Sequence, residues 1–195
     1  MQVQMLLQQV TQNYMDWKKF SMSNLRLINE TSGSSVTNIS ITDVFNSDFD
    51  IYKFTVTSVG LSGSGTTSLN VRAINSSGSL VSASNYDYAR LMLKADTTFA
   101  EDRATNQDKI YTAGELNSTA GGLGATFFII NPYSSSRYTF FIFESQGMSG
   151  ASARGGKGIA VLKQSASMGG IKLYSDDSTT MTSITARCYG LRVDS

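Results

Sequence analysis

The chain has no histidine. That removes imidazole-based catalytic triads and the commonest transition-metal ligand. It has one cysteine, Cys188, so no internal disulfide can form and no multi-thiolate zinc site can be built. Cys188 sits in an alternating run, Ile184 to Leu191, which marks it as a buried, inert thiol rather than a nucleophile. Charge is scarce as well. Sixteen basic and fifteen acidic residues leave a net charge of +1. Nucleic-acid binding usually shows as a basic excess, so no nucleic-acid partner is expected. No apolar run approaches the roughly 20 residues of a membrane-spanning helix, so no membrane insertion is expected. The first residues lack a basic segment followed by an apolar core, so no signal peptide is expected, and synthesis and assembly in a cytoplasm follow.

Catalytic signatures are also missing. Gly150 to Gly158 looks superficially like a phosphate loop, but no Ser or Thr follows Lys157 and no helix is expected after it. Glycoside hydrolysis needs only two carboxylates. Asp176 and Asp177 are neighbours in an expected turn and need not face one another. The acidic residues between Asp96 and Glu115 lack the spacing of a calcium loop. No enzyme activity, catalytic residue, cofactor or metal is therefore expected.

What is present is turn chemistry and β-forming sequence. The 195 residues suit one domain plus an appendage. Runs rich in β-branched and aromatic residues recur between Gly, Ser, Asn and Asp turns. Strands are expected near 25–28, 36–44, 51–59, 69–73, 86–93, 125–130, 138–143, 158–163, 171–174 and 184–191. In the third of these, Tyr52, Phe54 and Val56 share one face, and Lys53, Thr55 and Thr57 the other. Lys94 to Gly122 reads as a long polar interruption, and Gln146 to Lys157 is glycine-rich, with a short strand expected only from Gly158. Together these give an all-β antiparallel sandwich over 25–195.

The sandwich is organised around Gly124 to Ser145. Two apolar runs flank Asn131-Pro132-Tyr133-Ser134, where the only proline fixes φ in a turn. Both runs are apolar on both faces, as in strands covered on both sides. One cover is the sandwich core. The other is a second subunit, the long 94–123 segment or the N-terminal arm. Phe127, Ile129, Phe141 and Phe143 are assigned to the subunit contact. Met1 to Phe20 is the one helical candidate, within an arm of residues 1–24 that either anchors or oligomerises the chain or packs on its own domain. Val3, Leu7, Val10, Tyr14 and Trp17 are spaced 4, 3, 4 and 3 apart, a stripe suited to anchoring or oligomerisation.

Three segments carry a resemblance. They are VTNISITDVFNSDFDIYKFTV at 36–56, TFFIINP with RYTFFIF over 126–143, and IKLYSDD with ITARCYGL over 171–191. They resemble small jelly-roll-like virion structural proteins of tailed bacteriophages, notably marine and cyanobacterial phages. The resemblance covers roughly residues 25–192. It implies a jelly-roll-like sandwich and a non-enzymatic virion component, commonly a homotrimer, acting as a tail or head fibre or appendage. The alternative is a capsid decoration or cement protein that stabilises the shell. A polysaccharide hydrolase is a third class, disfavoured by the short chain and the missing carboxylate motif. Partners would be further copies of the chain, capsid or tail proteins reached through the arm, and a host-surface glycan. Tyr111, Tyr133 and Arg154 are the candidates for receptor-facing groups.

Overall fold

The computed structural model describes residues 24–62, 66–112, 116–117 and 122–191. The expected arm residues Val3, Leu7, Val10, Tyr14 and Trp17 lie outside the described residues. Those described form fourteen strands and no helix. The first seven are β1 (Leu25–Gly33), β2 (Asn38–Ile41), β3 (Ile51–Leu61), β4 (Thr66–Thr67), β5 (Leu69–Asn75), β6 (Tyr86–Lys94) and β7 (Ala100–Gln107). The others are β8 (Ile110–Tyr111), β9 (Leu116–Asn117), β10 (Leu123–Ile130), β11 (Thr139–Ser149), β12 (Ser152–Leu162), β13 (Met168–Ser175) and β14 (Met181–Leu191).

All strand pairs are antiparallel. A large sheet runs β1-β14-β3-β10-β11-β12-β6-β7, a smaller one β2-β13-β5-β8, and β4 and β9 form a short ribbon. Four hydrogen-bonded pairs nest inside one another along the chain: β1 with β14, β2 with β13, β3 with β10, and β5 with β8. The chain is thus one long antiparallel ribbon whose successive pairs alternate between the sheets. Two hairpins, β6–β7 and β11–β12, interrupt the ribbon. They meet through β6 and β12 and widen the large sheet.

The core follows from strand alternation. Tyr52, Phe54 and Val56 of β3 are buried, whereas Lys53 and Thr55 are half-buried on the other face. Leu69 and Val71 of β5, with Ile171 and Leu173 of β13, join the same buried cluster. Two buried tyrosines keep their hydroxyls satisfied, which avoids the cost of an unpaired polar group. The Tyr52 hydroxyl accepts from the Asn46 amide at 2.8 Å and donates to the Asn46 carbonyl at 3.0 Å. The Tyr86 hydroxyl accepts from the Ala73 amide and donates to the Val81 carbonyl, both at 3.0 Å. Burial pushes the Tyr52 phenol up to about 12. It pushes the Cys188 thiol up to about 12 as well, in keeping with an inert core position.

Two regions differ from the expectation. The polar stretch after Lys94 contains β7, one of the two edge strands of the large sheet. Its charged residues suit an edge, where they discourage pairing with another chain. The glycine-rich stretch, where no strand was expected before Gly158, is a continuous hairpin. β11 runs to Ser149, Gly150 turns the chain with a φ of 60°, and β12 starts at Ser152. At Gly158 a Cβ would lie 2.5 Å from the Phe143 ring and 2.6 Å from the Ala89 carbonyl oxygen. Glycine is used there for close approach rather than for flexibility.

Candidate interaction surface

The central hairpin is two-faced, as its sequence requires, but the phase is opposite to that expected. Phe127, Ile129, Phe141 and Phe143 point into the core, each no more than 2 % exposed. A side chain already buried within one chain is not available to a neighbour. The corresponding outward set is Phe128, Ile130, Phe140 and Ile142. Of these Phe128 is 37 % exposed, and Phe140 and Ile142 are each 45 % exposed.

Strand register extends this outward set into a band. One cross-strand row runs Leu25, Leu191, Ile51, Ile130, Phe140 and Val161. The row beside it runs Leu27, Tyr189, Lys53, Phe128, Ile142 and Ile159. Side chains directly opposite one another on one face are close enough to touch, so each row is a contiguous ridge. Lys53 is the only charge in the two rows, and its ammonium lies 5.9 Å from the centroid of the Phe128 ring. The stem of such a lysine covers apolar surface while its head stays wet.

The next row is charged. Glu30 accepts from the Arg187 Nε at 2.7 Å, and Glu144 stands opposite Lys157. Asp87 closes the far end of the band, bound to Lys163 at 2.8 Å. On that side Ile130, Phe140, Ile142, Ile159, Val161 and Ala89 line an open groove of about 750 Å³. Apolar residues framed by charges on a broad sheet face are the usual mark of an interaction site.

The three expected receptor-facing residues do not converge. Tyr133 is exposed in the turn after β10. Arg154 lies in β12 towards the opposite end of the large sheet, opposite Gly147, and is bound to Asp96 at 2.7 Å. Tyr111 lies in β8 of the small sheet, half-buried, with its centroid 5.7 Å from that of Tyr88 and 4.5 Å from the Lys109 ammonium. Burial opposes the charge on Lys109. Its hydrogen bonds to Asp176 and Tyr111 outweigh that and hold its pKa above the ordinary lysine range. This polar cluster fastens β8 to the turn after β13, a sufficient role for it. Among the described residues, no group of three or more Cys, Asp or Glu side chains is placed to hold a metal ion.

The band was partly legible. Glu144 shares a face with Ile142 and Phe140, and a charged residue in mid-strand fixes the outward phase. The contributions of Leu27 and Tyr189 depend on long-range register and carry no local signal. In comparisons with known proteins, no family model matches the chain, and no curated protein sequence matches it.

Proposed function

We propose that the chain is a non-enzymatic structural protein of a tailed-phage virion, a homo-oligomeric fibre or appendage component built on a jelly-roll domain. The nested strand pairing carries this reading. Numbered by ribbon position, the eight paired strands lie in the order 1-8-3-6 in one sheet and 2-7-4-5 in the other. That is the order of a four-pair ribbon rolled into two sheets, the jelly-roll arrangement common in viral shell and lectin domains. The sequence resemblance points the same way, and the outer apolar band supplies a surface for self-assembly into a trimer. Linked copies would gain avidity for a host-surface glycan without new contacts at each site.

Immunogold electron microscopy on virions of the encoding phage, with an antibody to residues 25–191, tests the reading. Label on projecting appendages is expected. Uniform label over the faces of the head would favour the decoration reading instead. Particles that carry no label would remove both.

A further inference from the structure

We propose that the chain forms an internal amide link between the side chains of Lys109 and Asn70, with Asp176 as the acid–base group. The link goes beyond the virion reading and does not depend on it. Asn70 lies in β5, Lys109 comes just before β8, and Asp176 just after β13. The pairing of β5 with β8 sets Asn70 opposite Tyr111 and brings Lys109 alongside. One oxygen of Asp176, Oδ1, accepts from the Lys109 ammonium at 2.5 Å and from Asn70 Nδ2 at 2.9 Å. The two nitrogens are therefore separated by less than the sum of those distances.

Amide exchange needs an amine, a carboxamide carbon and a carboxyl that can move protons between the two nitrogens. The cluster that fastens β8 holds all three. Asn70 is 0 % exposed. Its Oδ1 has no hydrogen-bond partner among the described residues, so the amide is held by the carboxylate alone. Burial keeps water from competing with the amine. The Tyr111 ring, its centroid 4.5 Å from the Lys109 nitrogen, gives the site an aromatic wall.

Lys109 rests as the ammonium, because its bonds to Asp176 and Tyr111 outweigh burial. The reaction opens as one proton passes to Asp176 along the existing hydrogen bond. Desolvation favours the neutral pair that results. The Nζ lone pair then adds to Cγ of Asn70, and the Nζ–Cγ bond forms. Asp176 hands its proton to Nδ2, takes a second from Nζ and passes that on too. The Cγ–Nδ2 bond breaks and Nδ2 leaves as ammonium. One proton stays on the new amide, and Asp176 ends as the carboxylate it was. Nothing is oxidised or reduced. A chain with one cysteine has no internal disulfide, and an amide link needs no oxidising compartment. The link would close the segment that carries β6 and β7 across the β5–β8 pair.

Intact-mass spectrometry on the full-length chain, held in buffer for several days after purification, tests the link. The expected mass is that of the sequence less one ammonia. Trypsin should then release a branched peptide joining residues 54–72 to 104–137, because a linked Lys109 is not cleaved. Lys109→Arg keeps a cation beside Asp176 and should retain its full mass. Asp176→Asn should slow linkage by about a hundredfold or more. A folded wild-type chain that yields no branched peptide would overturn the link. So would an ammonia loss that persists in Lys109→Arg, since an asparagine closing on its own backbone loses the same mass. An Asp176→Asn chain that links as fast as the wild type would overturn the role of Asp176.

Discussion

Phe127 and Phe128 are adjacent, chemically identical and on opposite faces of β10, so paired alanine substitutions read the strand's phase directly. Phe127 is 1 % exposed and packed in the core cluster. Its truncation loses buried area and leaves a cavity, at a cost of about 3–5 kcal/mol. Phe128 is 37 % exposed on the outer face. Full burial of a phenylalanine contributes about 1.5–3 kcal/mol, so Phe128→Ala costs roughly 1 kcal/mol. For a chain of this size each kcal/mol moves Tm by about 2–4 °C, so the two variants should lose roughly 12 °C and roughly 3 °C. Urea melts followed by circular dichroism, at one protein concentration, supply the comparison. The m-value should not change. A Phe128→Ala variant less stable than Phe127→Ala would mean that β10 is in the opposite phase, and the outer band would disappear with it.

Two other expectations follow from the packing and the buried phenols. Gly158→Ala drives a Cβ against the Phe143 ring and the Ala89 carbonyl. Overpacking of that kind should cost about 2 kcal/mol in a urea melt, and a loss under about 0.5 kcal/mol would show that β11 and β12 are not packed as described. Alkaline pH should destabilise the fold. Tyr52 is raised by burial from 10.0 to about 12, and burial raises Tyr86 further still. A folded-state pKa above the unfolded one gives stability that is complete below pH 10.0 and is lost as pH rises through the folded value. The unfolding free energy from urea melts should therefore hold steady to about pH 9, begin to fall as the unfolded Cys188 thiol ionises, and fall more steeply above pH 10.0, by about 1.4 kcal/mol per pH unit for each group ionised only on unfolding. A flat profile up to pH 12 would contradict the burial of these hydroxyls.

The sequence carried local structure further than it carried partnership. β3 was readable because Tyr52, Phe54 and Val56 alternate with Lys53, Thr55 and Thr57. β10 and the first half of β11 were readable from their β-branched and aromatic runs. β7 was not, because an edge strand of charged and small residues looks like a loop until its neighbour is known. The start of β12 was hidden for a different reason. Glycine normally marks turns, but Gly155 lies within the strand, where a Cβ would come 2.9 Å from the Ser145 carbonyl oxygen. The outer band was half visible. The hairpin announced two apolar faces, and Glu144 held the clue to which one faces out. The rest of the band comes from β1, β14, β3 and β12, which the ribbon topology brings alongside. The pairing of β1 and β3 with β14 joins segments more than a hundred residues apart, and no window of sequence contains it.

The central claim is that the outer face of the large sheet is an assembly surface. The most direct test is the mass of the full-length chain by light scattering over a hundredfold range of concentration, beside Ile142→Asp. The account predicts a trimer, three times 21.1 kDa, that dissociates more readily when Ile142 is charged. A chain that stays at 21.1 kDa throughout, or a trimer indifferent to that substitution, would contradict it.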